Sequence, residues 1–336
     1  LTPGPTPVPE FVRKAMADVT IHHRTEEFEA IFKNTRELLI EIYDMPEVVM
    51  LASSGTGAME ACVTNLTHKK ALTINSGKFG ERFGKICAAF GIDYTEIKNE
   101  WDTPVSVEAV VEAVKADSSI DAVFIQICES AGGLRHPVEE IAAQIKKINK
   151  DITVVADGIT AIGVEKIDTT NLDAVVTGSQ KALMLPPGLA MIGLSNEAVA
   201  KIESKARGYY FNLATEIKKQ RTNTTAWTAA TTLIIGLGAI LEKLKADGFE
   251  NLYKNTALRA KATREALKAI GFDIYPKTPA DAMTTVYTEQ SSAIRKILKN
   301  KYNVNIAGGQ DHLAGKIFRI NHMGLVEDYE ASWAVN

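Results

Sequence analysis

Cysteine is almost missing from this 336-residue chain: Cys62, Cys87 and Cys128 are the only three, each inside an apolar helix or strand pattern and none in a CxxC pair. That argues against a disulfide framework or a cysteine-based zinc site and for three small buried hydrophobes in a reducing compartment. The six histidines show no HxxxH or HExxH spacing, so no metal site is expected. Charge of one sign is lacking as well. Lys and Arg total 38 against 41 Asp and Glu, a net −3, and without a basic field to hold a polyanion nucleic acid is not the expected partner. Apolar runs such as Val48–Ala52 and Ala122–Ile127 fall far short of the roughly 20 residues of a membrane helix, so no membrane partner is expected. Leu1 opens no charged-then-apolar leader, and we expect a cytoplasmic protein whose chain is trimmed at its ends.

What is present, 46% hydrophobic and 24% charged residues, suits one large globular domain plus a smaller one. Four prolines and a glycine in Leu1–Pro9 predict an extended arm rather than a helix. From about residue 25, helical periodicity alternates with short apolar runs at Val48–Ala52, Ala71–Ile74, Tyr94–Ile97, Ala122–Ile127, Thr153–Ala156, Ala174–Val176 and Ala190–Leu194. Such runs, separated by helical segments like Val105–Lys115 and Pro137–Asn149, predict buried, mostly parallel strands with helices on both sheet faces. Two long helices are then expected over Trp227–Ala246 and Phe249–Ala269, stopping near Gly248 and Gly271. A small α+β unit follows, with strands at Phe272–Tyr275, Thr284–Tyr287 and Ile317–Ile320 and a helix over Ser291–Asn300.

Ligands of open α/β sheets gather at the carboxyl ends of the strands, which directs attention to the residues just after each run. Ser53-Ser54-Gly55-Thr56-Gly57 sits between a strand and a helix, where free amides and hydroxyls form an anion cradle; a plain Ser/Gly cap is the bland alternative. It lacks GK[ST] and the GxGxxG spacing, which argues against ATP, NAD and a Rossmann oxidoreductase. Asp157 ends one run and Lys181 follows the next in Gly178-Ser179-Gln180-Lys181. Each alone reads as a cap or a surface lysine. Together they supply what pyridoxal phosphate requires: a phosphate cradle, an amine for its aldehyde and an anion for its ring nitrogen, with Phe79 as a ring to stack on the pyridine.

The run Gly178–Leu183 continuing to Pro186-Pro187-Gly188 resembles the cofactor-lysine motif of class V, fold-type I aminotransferases of the alanine–glyoxylate and serine–pyruvate group. Thr2-Pro3-Gly4-Pro5, Ser54–Gly57 with Met59-Glu60-Ala61, Glu129-Ser130, Asp157–Gly163 and Phe318–Gly324 are similar to that group in the same order. The resemblance implies an α/β fold with a mostly parallel seven-stranded sheet: an arm over 1–18 packing on the active-site region, a large cofactor-binding domain over 19–240 and a small α+β domain over 241–336. It further implies that Lys181 links to pyridoxal 5'-phosphate, Asp157 pairs with the ring nitrogen, Phe79 stacks, and Ser130 reaches the ring hydroxyl or substrate. Ser54, Gly55, Thr56 and Gln180 would hold the phosphate, with Thr225 donated by a second subunit, and Arg319 would grip the substrate carboxylate. Phe79 stands where many relatives carry Trp, and Thr56 where many carry His.

The expected function is transfer of an amino group from a small amino acid (alanine, serine or aspartate) to a 2-oxo acid such as glyoxylate or pyruvate, by a homodimer with shared active sites. A lyase or cysteine desulfurase of the same fold is the alternative, although none of the three cysteines is placed as a mobile persulfide carrier. A non-catalytic cofactor-binding regulator is disfavoured by the presence of Lys181 and Arg319. Arg24 and Arg221 are loose candidates for reading a second carboxylate, with surface charge as their default role.

Overall fold

The computed structural model describes residues 1–335; Asn336, the last residue of the expected unit 241–336, lies outside the described residues. Nine strands precede the long helices: β1 Glu47–Leu51, β2 Lys70–Asn75, β3 Asp93–Lys98, β4 Ile120–Gln126, β5 Cys128–Glu129, β6 Leu134–Arg135, β7 Thr153–Asp157, β8 Ala174–Gly178 and β9 Ala190–Leu194. Seven of them form one sheet in the order β1-β9-β8-β7-β4-β2-β3, while β5 and β6 make a separate small hairpin. Within the seven-stranded sheet all pairs are parallel except those of β9, which runs antiparallel to both β1 and β8. The mostly parallel sheet expected from the seven apolar runs is therefore present.

The alternation of side chains along a strand explains why the runs of the covered strands are apolar throughout. Val48, Met50, Val123, Ile125, Val154 and Val175 join a core beneath the helices Glu26–Tyr43 and Thr231–Asp247. Their neighbours Val49, Leu51, Phe124, Val155 and Val176 join a second core with Met59, Cys62 and Ile217 on the other face. With both faces covered, every second residue of these strands has a core to enter; the edge strand β3, exposed along most of its length, keeps Thr95 and Glu96.

Caps fix where several helices begin. Thr25, Ser106, Ser195 and Asn212 each accept an amide of the first turn of the following helix. The helix expected from Trp227 begins instead at Thr231, because Trp227 is held outside it: its Nε1 donates to the Tyr210 carbonyl at 3.0 Å and its ring stacks on Tyr210. Helix Phe249–Ala269 follows at once from Gly248. The smaller sheet, in order β10-β11-β13-β12, is built from β10 Asp273–Ile274, β11 Met283–Tyr287, β12 Ala307–Gly308 and β13 Ile317–Asn321. No described helix is long and apolar enough to cross a membrane.

Candidate active site

The carboxyl ends of β1, β2, β4, β7 and β8 converge, and each contributes one part of the site. After β1, the helix Gly55–Leu66 starts without a side-chain cap, so its first amides keep no local partner from the exposed Ser54 hydroxyl. A Cβ on Gly55 would lie 2.5 Å from Ile159 Cδ1, so the cradle approaches the β7 loop closely at a position without a side chain. Thr56 Oγ1 accepts from Arg82 Nη1 at 3.0 Å, and the same guanidinium lies 4.8 Å from the centre of the Phe79 ring.

Asp157, 3% exposed at the end of β7, accepts one bond, from the Ile159 amide at 2.9 Å through Oδ1. Burial pushes its carboxyl up to about 6, opposed by that bond and by the charges of Arg82 and Lys181. Beside it in register, Gln126 has both side-chain polar atoms buried without a partner among the described residues, as has the Gln180 amide oxygen. Orphaned polar atoms at the ends of β4 and β8, flanking Asp157, fit a polar group seated there.

Lys181 lies one turn beyond β8 under the N-terminal arm. Its Nζ donates to the Pro3 carbonyl at 2.5 Å, and Thr6 closes the arm down by donating from its amide to the Gln180 carbonyl (3.0 Å) and from its hydroxyl to the Lys181 carbonyl (2.7 Å). Gly4, at φ +108°, has no room for a Cβ, which would meet the Lys181 amine at 2.7 Å. Burial pulls the amine down to about 8, and the nearby Arg319 charge adds to the shift.

Arg319 comes from β13 of the small sheet and is 9% exposed. Its Nη1 donates to the Ser130 carbonyl at 2.6 Å, and its Nε and Nη2 donate to the Gly308 carbonyl at 3.1 and 2.7 Å. Three of five N–H groups are thus spent on fixing the guanidinium. One N–H remains on each of Nη1 and Nη2, enough for a two-point hold on a carboxylate.

The fold therefore gathers Gly55, Thr56, Phe79, Ser130, Asp157, Gln180, Lys181 and Arg319 at one end of the sheet. Thr225 turns to its own segment, donating to the Trp227 carbonyl at 2.5 Å. Arg24 is exposed before the helix Glu26–Tyr43. Arg221 pairs with Glu47 (2.8 Å) and Glu203 (3.0 Å) at the amino end of β1, the wrong end of that strand, so neither arginine meets the cluster within this chain.

Sequence reasoning assigned no role to Glu129 or Arg82. Glu129 is fully buried; Oε2 accepts the amides of Phe79 (3.0 Å) and Gly80 (2.8 Å), and Oε1 accepts that of Ala131 (2.9 Å). It pins the Phe79 backbone, although burial still pushes its carboxyl up to about 7. Nothing local in the sequence marks this long-range bond. Arg82 was findable: three residues past Phe79 at the start of a helix, its side chain returns to the same face.

A lysine at the end of β8, a reversed β9 and a small sheet lending an arginine are the layout of a fold-type I pyridoxal 5'-phosphate enzyme. The chain belongs to the class V aminotransferases: the family model described as aminotransferase class-V matches residues 6–323. An aminotransferase from Helicobacter pylori, described as uncharacterized, is 47% identical over all of this chain and 91% of its own. A serine–glyoxylate aminotransferase from Methylorubrum extorquens is 30% identical over 99% of this chain and 88% of its own. The solved subgroup IV aspartate aminotransferase from Thermus thermophilus superposes with a TM-score of 0.92 at 31% identity, covering 99% of this chain and 95% of the other. Enzymes of this family use pyridoxal 5'-phosphate, and the chain is a transaminase acting on amino acids and 2-oxo acids.

Proposed function

We propose that the donor is a small amino acid (alanine, serine or aspartate) and the acceptor a 2-oxo acid such as glyoxylate or pyruvate, with Lys181 as the covalent and proton-moving residue. The observation that carries this is the pairing of a lysine of lowered basicity with a guanidinium that keeps two N–H groups for a carboxylate. The serine–glyoxylate and aspartate relatives support the donor range. The residues present fit the cofactor: the amides of Gly55 and Thr56 with Gln180 for the phosphate, Asp157 for the ring nitrogen, Phe79 for the ring face, and Ser130 beside it.

When bound, pyridoxal 5'-phosphate supplies an aldehyde for amines and a ring that accepts electrons. The chain supplies the rest. Arg319 fixes the substrate carboxylate and so orients the Cα–H bond. Lys181, once its amine is free, takes the Cα proton, because burial beside Arg319 leaves a large neutral share near pH 8. Asp157 keeps one oxygen uncommitted and provides the anion that holds a ring proton. The three buried thiols argue against a desulfurase; burial pushes Cys87 up to about 11 and Cys128 up to about 12.

The test is spectral: alanine, serine and aspartate, each added to the holoenzyme, should shift the absorbance of the bound cofactor, and glyoxylate or pyruvate should restore it. No response to any of the three, with sulfur released from cysteine, overturns the proposal. We also infer a homodimer in which Thr225 of one chain serves the cradle of the other, since Trp227, two residues beyond it, packs against the exposed rings of Tyr209 and Tyr210 from the loop before the helix Leu213–Gln220, an aromatic cluster suited to an interface. Mixing inactive Lys181→Ala and Thr225→Ala chains should restore part of the activity, because one site of each heterodimer is then intact; an active monomer in sedimentation refutes it.

A further inference from the structure

A bound phosphate monoester carries about −1.5 to −2 charges at neutral pH, whereas a helix N-terminus offers roughly +0.5. The cradle at Gly55 and Thr56 therefore needs a cation as well as amides, and a buried anion left without one is costly. Lys181 commits its nitrogen to the cofactor aldehyde in the reading above, and Arg319 is pinned by the Ser130 and Gly308 carbonyls. Arg82 is the cation that touches the cradle. It reaches across from the next helix, Gly80–Ala89, to donate to Thr56 Oγ1 at 3.0 Å while lying against the Phe79 ring. Its charge is felt at both Asp157 and Lys181. Among the described residues no carboxylate forms an ion pair with it, so its charge is not neutralised within the chain. Because Thr56 accepts from Arg82, the hydroxyl hydrogen of Thr56 remains free to be donated to an anion.

We propose that Arg82 is the phosphate-reading cation of this site, so that the Arg82–Thr56 pair selects pyridoxal 5'-phosphate over pyridoxal. This rests on the cofactor site of the preceding section and adds to it a specificity residue. A purely structural arginine, packed on Phe79 for its stem and ring contact, would serve both ligands alike. The two roles therefore separate by ligand and not by activity.

The experiment is a binding titration of the full chain freed of cofactor, with pyridoxal 5'-phosphate and with pyridoxal, followed by ligand absorbance and tryptophan quenching. Arg82→Gln should weaken pyridoxal 5'-phosphate about 10- to 100-fold, the range of a lost charge-assisted hydrogen bond, and leave pyridoxal within about threefold. Arg82→Lys, which keeps the charge and loses the fork, should recover part of the loss. Inorganic phosphate should tighten pyridoxal binding to the wild type and not to Arg82→Gln. Equal loss for both ligands, or no loss for either, overturns the proposal while leaving the site reading intact. A wild type that binds both ligands equally overturns the site reading and the inference together.

Discussion

The end of β7 and the short strand β5 each bury a carboxylate, and they use it in opposite ways. Glu129 accepts three backbone amides and leaves little free; Asp157 accepts one and leaves an oxygen open toward the strand ends. Both are pushed up by burial, to about 7 and about 6, so burial alone does not tell them apart. The count of donors does. A carboxylate surrounded by amides holds backbone in place, and one with an open oxygen is available to a partner that the chain does not supply.

The largest effect should come from Lys181, whose amine feels the charge of Asp157 but not that of Glu129. Lys181→Ala should abolish amino transfer, and borohydride should no longer fix cofactor to the chain; covalent labelling in that variant would move the chemistry to another lysine and leave the comparison without its centre. Next, Asp157→Asn should cut kcat by about 10²–10³, the usual loss when one strong electrostatic partner is removed, with stability within about 1 kcal/mol of wild type. The amide oxygen can still accept from Ile159, so only the charge changes. A near-wild-type kcat would erase the distinction between the two carboxylates.

Glu129→Ala should show the reverse pattern. Two buried amides, those of Gly80 and Ala131, and the half-buried amide of Phe79 lose their acceptor, and orphaned buried donors cost about 1–3 kcal/mol each before water enters. We expect roughly 2–4 kcal/mol lower unfolding free energy in urea. The catalytic loss should be smaller than that of Asp157→Asn and should appear as weaker cofactor retention, because Phe79 is positioned less well. Wild-type stability in this variant would show that the amides find other acceptors.

That contrast also explains what was legible in the sequence. Six of the seven strands could be read because both faces of the sheet are covered there, which makes their runs apolar, whereas β3 is an exposed edge strand that keeps Thr95 and Glu96. Asp157 and Lys181 could be placed together because both follow directly on such runs, at the carboxyl ends of neighbouring strands. Two-residue strands such as β5, β6 and β12 carry no periodicity, and they went unseen. Trp227–Ala230 continues the apolar pattern of the helix after it, and only the long-range bond to Tyr210 excludes it from that helix. Glu129 belonged to a recognised motif, but its partners lie some fifty positions earlier in the chain. Arg221, whose default role was surface charge, is held by Glu47 and Glu203, partners that the sequence did not reveal.

The smallest expected effect lies in pH dependence, and its sign follows from the direction of the two shifts. Raised carboxyls bind protons in the native state more tightly than in the unfolded chain, where they titrate near the ordinary value of about 4. Between there and about 7 the native protein therefore holds more protons than the unfolded one. The share of stability that Asp157 and Glu129 contribute is greatest at the acid end and falls as pH rises. In cofactor-free protein, Asp157→Asn should make the slope of unfolding free energy against pH less negative between about 4 and 6 and leave it unchanged above that. Glu129→Gln should extend the same change up to about 7. If Asp157→Asn leaves the slope untouched, Asp157 is solvated in the free protein, and its open oxygen faces water instead of a closed pocket.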